Sequence, residues 1–335
     1  MDILSIIRPE QLFTGDKDTA TLEYRKLCSK WHPDKNPGVD PKVIAHINVL
    51  FKHAIELLEK GVWEIPGVIT INDVNGKTFN FKYKSKREND IGITYIGDNF
   101  VAFFITKDNA DLYAIGKKRI SNLKYANDKM KQEMSRFMPS IHAEHETSEH
   151  LVMIMKKTPD MFLLRDVLEY FDNKMDPKHV AWVVSRLYNI CCYLKYAKIV
   201  HNGISIDSVF ISPQHHTACL LGNWWFSAEE NSKLIAVPSI TANIASTLID
   251  KKIAVGKIDL EMLRAVGLTL LGDIYGSKLL ADKNIPREML TWFRTSSSSD
   301  AFNEYETWMT KVLINSFGSR KFVKLDVYSN KIYTT

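Results

Sequence analysis

The chain has 335 residues, 45% of them hydrophobic, 25% charged and 11% aromatic, an ordinary globular composition with length for about two domains. A net charge of +5 and a pI near 8.8 permit an acidic partner without pointing to one. Four cysteines without C-x-x-C spacing (Cys28, Cys191, Cys192, Cys219) argue against zinc and a disulfide framework, and no run of about 18 apolar residues could span a membrane.

Asp2 and Arg8 interrupt the apolar start, which leaves Met1 to Ile7 too short for a signal peptide. Together with the cysteine usage, this makes a cytoplasmic location the expectation. Tyr24, Leu27, Cys28 and Trp31 recur at helical spacing and predict a helix over about Asp18 to Trp31, with Arg25, Lys26 and Lys30 on its opposite face. A second helix starts at Asp40 as N-cap with Pro41 at its first position, and Gly61 is its stop. Its apolar set, Val43, Ile44, Ile47, Leu50, Phe51, Ala54 and Leu58, can pair with the first stripe as an antiparallel hairpin. Leu27, Trp31, Ile47 and Phe51 are the expected core. Between the helices, His32-Pro33-Asp34-Lys35-Asn36-Pro37-Gly38 carries two prolines and a glycine, which forbid helix and predict a rigid, exposed loop.

Tyr24-Arg25-Lys26-Leu27, Trp31-His32-Pro33-Asp34-Lys35-Asn36 and Ile47-Asn48 resemble the J-domain pattern. The resemblance implies that His32, Pro33 and Asp34 contact a DnaK-type chaperone and stimulate its ATPase. It also implies that Arg25, Lys26 and Lys30 dock on an acidic patch of that partner. Residues 1–61 hold nine basic and nine acidic residues, so only this helix face is basic.

Downstream, Val68 to Val74 and Thr78 to Lys84 read as strands joined by a two-residue Asn75-Gly76 turn. Lys82, Lys84, Lys86 and Arg87 alternate along a solvated strand face; no aromatic platform accompanies them, which disfavours a nucleic-acid patch. Further strands are expected at Ile91 to Ile96, Val101 to Ile105, Leu112 to Ile115, His142 to His145 and Leu151 to Met155, with a polar helix over Tyr125 to Phe137. His142, His145 and His150 do not converge with the neighbouring glutamates, so no metal is expected there. Beyond Lys156 the chain reads as mainly helical. A long apolar helix after Asp176-Pro177 leads to His201-Asn202-Gly203-Ile204-Ser205-Ile206-Asp207-Ser208, then Leu221-Gly222-Asn223-Trp224, then an apolar helix opened by Asp259.

This order resembles the protein-kinase fold over about residues 91–325. The resemblance places Gly97 at the glycine-rich loop, Tyr113-Ala114-Ile115 on the strand that carries the ATP lysine, and Glu133 at the helix-C glutamate. It makes Lys156 to Thr158 the hinge and Asp259 the buried structural aspartate. The chemistry is mostly missing. Gly203 holds the base position, Ser205 the loop lysine and Ser208 the loop asparagine. Gly222 or Asn223 holds the metal aspartate, and Gly116 the strand lysine, with Lys118 on the same strand face as a substitute. His201 opens the loop.

The expected fold is therefore α+β: a J-domain over 1–61, a junction and hairpin over 62–90, and a two-lobed kinase-like domain over 91–335. Its strand-rich small lobe spans about 91–158 and its helical large lobe about 159–335. The expected function is that of a co-chaperone with an inactive kinase-like module that binds a client protein. No catalytic residue, metal, membrane or nucleic acid is expected, and any affinity for ATP is expected to be weak. Two alternatives remain: an atypical kinase or nucleotide-transferring pseudokinase using Lys118, Glu133, Asp207 and Asn223, and a nucleic-acid-associated adaptor using Lys82 to Arg87.

Overall fold

The structure is a computed structural model that describes residues 3–65, 67–319 and 321–333. Met1 and Asp2 at the amino terminus and Pro66 in the junction lie outside them. The chain divides into two compact units, one of residues up to 108 with 143–154, the other of 109–142 with residues from 155 onward.

In the first unit, α1 (Lys17–Trp31) is capped by Asp16, whose carboxylate accepts from Thr19 N–H at 2.8 Å. Helix α2 (Pro41–Glu59) begins as read: Asp40 accepts from Lys42 N–H at 2.9 Å and Pro41 occupies the first turn. Gly61 follows with φ +71, a conformation that favours glycine. The core differs in its centre. Ala20, Val43, Ile47, Leu50 and Ala54 are buried together with Ile3, Ile6, Phe13 and Trp63, while Tyr24, Leu27, Trp31 and Phe51 pack around them half-buried. The segment from Ile3 to Phe13 takes the place expected for Leu27 and Trp31, because a two-helix hairpin leaves one apolar flank open. Trp63 ties the helices to the first strand; a Cβ on Gly15 would stand 2.6 Å from its ring.

Two antiparallel sheets complete this unit. One runs β1 (Val62–Ile65), β2 (Val68–Asn72), β3 (Thr78–Lys82) in that order. The other comprises β4 (Ser85–Asn89), β5 (Gly92–Ile96), β6 (Phe100–Thr106), β7 (Ile141–Glu146) and β8 (His150–Lys156), ordered β4-β5-β6-β8-β7. Ile69 and Ile71 of β2 pack with Tyr95, Ala102, Phe104, Val152 and Ile154, so the sheets stack face to face. Strand β6 reads Phe-Val-Ala-Phe-Phe-Ile-Thr and is buried from Val101 to Ile105, the unbroken run of a strand covered on both faces.

Several local expectations are corrected. Asn75-Gly76 sits within a five-residue connection, 73–77, where Asp73 N–H donates to Lys77 O and Asp73 Oδ1 accepts from Asn75 N–H at 2.6 Å. The basic run is split between β3 and β4 and is partly neutralised: Lys84 meets Asp98 at 2.6 Å, and Lys86 meets Glu64 at 2.6 Å while lying over the Tyr95 ring. Glu64 also accepts from the Tyr83 and Tyr95 hydroxyls. His145 packs on Phe79 with ring centroids 4.0 Å apart, and His150 is half-buried, so burial holds its pKa down.

In the second unit, Leu112 to Ile115 is not a strand. Ala110–Ser121 forms α3, with Leu112, Tyr113, Gly116 and Ile120 buried at helical spacing, Asp111 in the first turn, and Lys118 and Arg119 in the last. Helix α4 (Asp128–Met134) is the short form of the polar helix read over Tyr125 to Phe137. Then come α5 (Leu164–Tyr170) and α6 (Pro177–Ala197), the latter capped by Asp176 and ended at Lys198 with φ 55. The small strands β9 (Phe162–Leu163), β11 (Val209–Ser212) and β12 (Thr217–Leu220) form one sheet, and β10 (Ile199–Val200) pairs with β13 (Ala228–Glu229). Helices α7 (Ser239–Ile244) and α8 (Ser246–Ile249) precede α9 (Lys257–Leu271), whose residues are nearly all buried and which packs on α6. Helices α10 (Arg287–Arg294), α11 (Ala301–Thr307) and α12 (Leu313–Phe317) follow. Arg264 of α9 forms a buried ion pair with Glu304 of α11 at 2.6 Å. Among the described residues, no helix is long and apolar enough to cross a membrane.

Candidate functional site

Two loops carry the residues singled out by sequence, one in each unit. In the first unit, His32 ends α1 in extended conformation and its carbonyl accepts from the N–H groups of Lys35 and Asn36 at 3.0 Å. Asp34 N–H donates to His32 Nδ1 at 3.2 Å, and the Asp34 carboxylate lies 3.5 Å from that nitrogen. The Asn36 amide donates to Lys30 O, and Lys35 Nζ to Ser29 Oγ at 2.8 Å. The loop is thus tied down from within, while His32, Pro33 and Asp34 stay exposed, as expected from the prolines. Arg25, Lys26 and Lys30 are also exposed on α1, and Lys30 lies over the Trp31 ring. Behind the loop, Tyr24 stacks on Phe51 at 4.1 Å and donates its hydroxyl to Asn48 Oδ1 at 2.9 Å. Those contacts give Tyr24 and Asn48 a structural task.

In the second unit, Asp259 organises the loop after β10. Its two oxygens accept from the N–H groups of His201 and Asn202, each at 2.8 Å. Asp259 is wholly buried, and burial pushes its pKa up to about 7 against the pull of those two donors. The neighbouring His201 is equally buried, which drives its pKa down to about 3. Its Nδ1 accepts from Gly203 N–H at 3.3 Å, so Nε2 carries the proton and donates to Gly222 O at 3.1 Å. Asn202 adopts φ +61, and its amide donates to Phe226 O at 2.9 Å. Thr241, which the sequence did not flag, donates to Asn202 O at 2.8 Å.

The two glycines are where two loops touch. A Cβ on Gly203 would stand 2.7 Å from Asn223 Cβ, and one on Gly222 would stand 3.0 Å from Ser208 Cα. Asn223 itself donates to Gly203 O at 2.9 Å. Ser205 and Ser208 spend their hydroxyls on the loop: Ser208 Oγ accepts from Ser205 N–H at 2.9 Å, and Ser205 Oγ from Asp207 N–H at 3.2 Å. The Asp207 carboxylate is held by both arms of Arg165, a partner 42 residues away that no local pattern announces. The carboxylates near this loop are therefore engaged by Arg165 or by backbone N–H groups.

Gly97, Gly116, Lys118 and Glu133 lie in the following places. Gly97 lies in the turn between β5 and β6, where its N–H donates to Phe100 O at 3.0 Å and a Cβ would strike the Phe100 ring. That is a closed turn, not an open phosphate-cradling loop. Gly116 and Lys118 lie on helix α3, so strand alternation does not relate them. Gly116 permits close approach to Trp225, whose backbone nitrogen would be 3.0 Å from a Cβ there. Glu133 is exposed on α4. The strand third in chain order within the five-stranded sheet is β6, which contains no lysine. The helix that follows it, α3, contains no glutamate. Leu112, Tyr113, Gly116 and Ile120 share one helical face, a period that becomes visible only when the segment is followed to Ile120.

No family model matches the sequence, and no curated protein matches it. Among solved structures the fold is similar to that of vaccinia related kinase 3, at 15% sequence identity and a TM-score of 0.48, over 81% of this chain and 92% of that chain.

Proposed function

We propose that the chain is a co-chaperone: a J-domain-type loop at His32 recruits a DnaK-type chaperone, and a kinase-like region without phosphotransfer chemistry engages the client. The observation that carries the first half is the loop from His32 to Asn36. It is ordered by its own hydrogen bonds yet exposed, and the helical core beneath it does not use its side chains. A loop with that order and no packing role suits docking. The second half rests on the strand order β4-β5-β6-β8-β7 followed by a helical region, with a buried aspartate holding the His201 loop. The glycine contacts at 203 and 222 support inactivity, since they leave no room for a base or a metal ligand. The same contacts count against an atypical kinase that would use Asn223. The ion pairs of Lys84 and Lys86 count against a nucleic-acid surface along Lys82 to Arg87.

The test is steady-state ATP hydrolysis by a DnaK-type chaperone known to respond to another J-domain. The whole chain should stimulate it, and His32→Gln should abolish stimulation without changing the melting temperature. Equal stimulation by both proteins makes the loop a structural turn and ends the co-chaperone reading.

A further inference from the structure

Within the second unit, a cleft of about 560 Å³ opens between the last turns of α3 and α6 and strand β13. Its walls carry Lys118, Arg119, Lys124 and Lys198 against Glu229 and Glu230. Glu230 is already committed, since Lys195 Nζ meets it at 2.8 Å. Glu229 is three-quarters exposed and touches Arg119 only loosely, at 3.7 Å. The Nε of Arg119 is buried and has no hydrogen-bond partner among the described residues. The ion pairs recorded at this cleft, Arg119 with Glu229 and Lys195 with Glu230, do not use Lys118, Lys124 or Lys198. The cleft thus holds an excess of positive charge, a guanidinium paired only at 3.7 Å and one carboxylate free to swing away. Basic residues at helix C-termini also offset the helix dipole. That role covers Lys118, Arg119 and Lys198, but not Lys124, which lies beyond the end of α3.

We propose that this cleft binds a phosphate monoester carried on a peptide side chain, a phosphoserine or phosphothreonine. A dianionic phosphate matches the surplus charge, and the Arg119 Nη1 that now faces Glu229 can donate to one of its oxygens. The cleft is much larger than a phosphate alone, so an attached chain occupies the rest. Ile115 and Ile199 provide apolar contact but no ring on which a base could stack, which disfavours a nucleotide. Glu229 acts as the resident competitor that the phosphate displaces from Arg119. The proposal is independent of the chaperone reading.

The experiment is fluorescence titration of the full chain with a labelled Gly-Ala-phosphoserine-Ala-Gly peptide. Its unphosphorylated form, inorganic phosphate and AMP serve as the other arms, all at fixed ionic strength because such contacts are screened. The phosphopeptide should bind and outcompete inorganic phosphate and AMP. The Lys118→Ala/Lys124→Ala variant should bind at least about tenfold more weakly with an unchanged melting temperature, as expected for lost charge-assisted contacts at exposed positions. Glu229→Gln should bind roughly two- to fivefold more tightly by removing the competitor, a gain that a merely structural role for these residues does not produce. No binding at millimolar peptide overturns the proposal. So does equal affinity in the double variant, or tighter binding of AMP or free phosphate than of the peptide.

Discussion

Placing an aspartate at position 203 is the most direct way to ask whether this loop has room for the base that the proposed inactive kinase-like reading finds missing. The added Cβ stands 2.7 Å from Asn223 Cβ and 3.2 Å from Pro238 Cγ, both close to the backbone and unable to swing away. Forcing such atoms apart in a packed site costs about 1–3 kcal/mol. The carboxylate would then be buried without a cation, which adds about 1–3 kcal/mol even if it takes up a proton. A total of about 2–6 kcal/mol lowers the melting temperature by on the order of 10 °C for a unit of this size. Gly203→Ala separates the parts, because it carries the steric cost alone. Calorimetry on wild type, Gly203→Ala and Gly203→Asp should show a graded loss, and labelled ATP with Mg²⁺ or Mn²⁺ should give no incorporation into protein substrates. A Gly203→Asp protein that melts within about 2 °C of wild type, or that transfers phosphate, would refute the reasoning.

Three further outcomes follow from the same structure. Arg264→Met should cost about 3–5 kcal/mol because it strands the buried Glu304 carboxylate. The double variant Arg264→Met/Glu304→Leu should recover much of that in urea melts, and a double variant worse than either single one contradicts it. Trp63→Ala should cost about 3–5 kcal/mol and open the junction near Gly61 to protease, since that indole anchors β1 to the helical core; unchanged cleavage kinetics would mean the anchor is not needed. The third concerns pH. Asp259, raised to about 7 from 3.8, adds stability as pH falls through that window, whereas His201, lowered to about 3 from 6.5, loses it as pH falls below 6.5. The two slopes oppose each other between about pH 4 and 6.5. Asp259→Asn should therefore unmask a loss on acidification of at most about 1.4 kcal/mol per pH unit, and a flat profile in that variant contradicts it.

What could be read from the sequence was what is written locally. Asp40-Pro41 and the spacing of Val43, Ile47, Leu50 and Ala54 specify α2 within twenty residues, and the prolines around Asp34 specify an exposed loop. The glycines at 203 and 222 could be read as glycines. Their reason for being glycine could not be read, because it lies in Asn223 and Ser208 across a loop contact. Strand β4, Ser-Lys-Arg-Glu-Asn, goes against strand propensity and exists because β5 pairs with it along its whole length. Arg165 with Asp207, Arg264 with Glu304 and Thr241 with Asn202 are separated by 42, 40 and 39 residues, distances at which no periodicity carries a signal.

The two loops differ in a way that bears on what each can do. At His32 the backbone is tied by short-range hydrogen bonds, and the side chains remain exposed, available to a partner that arrives from outside. Around His201, the histidine is neutral, Asp259 is spent on two N–H groups, the serine hydroxyls close their own turn, and Asn223 donates back to Gly203. Groups paired in this way have little left to offer a ligand, and removing one leaves its buried partner unpaired at a cost of about 1–3 kcal/mol; Asn202 Oδ1 alone in this loop is buried without a partner among the described residues. The second loop is therefore a structural knot that ties the segments after β10 and β12 to α9. The cleft proposed above lies away from that knot, and Lys118 and Lys124 are exposed on it.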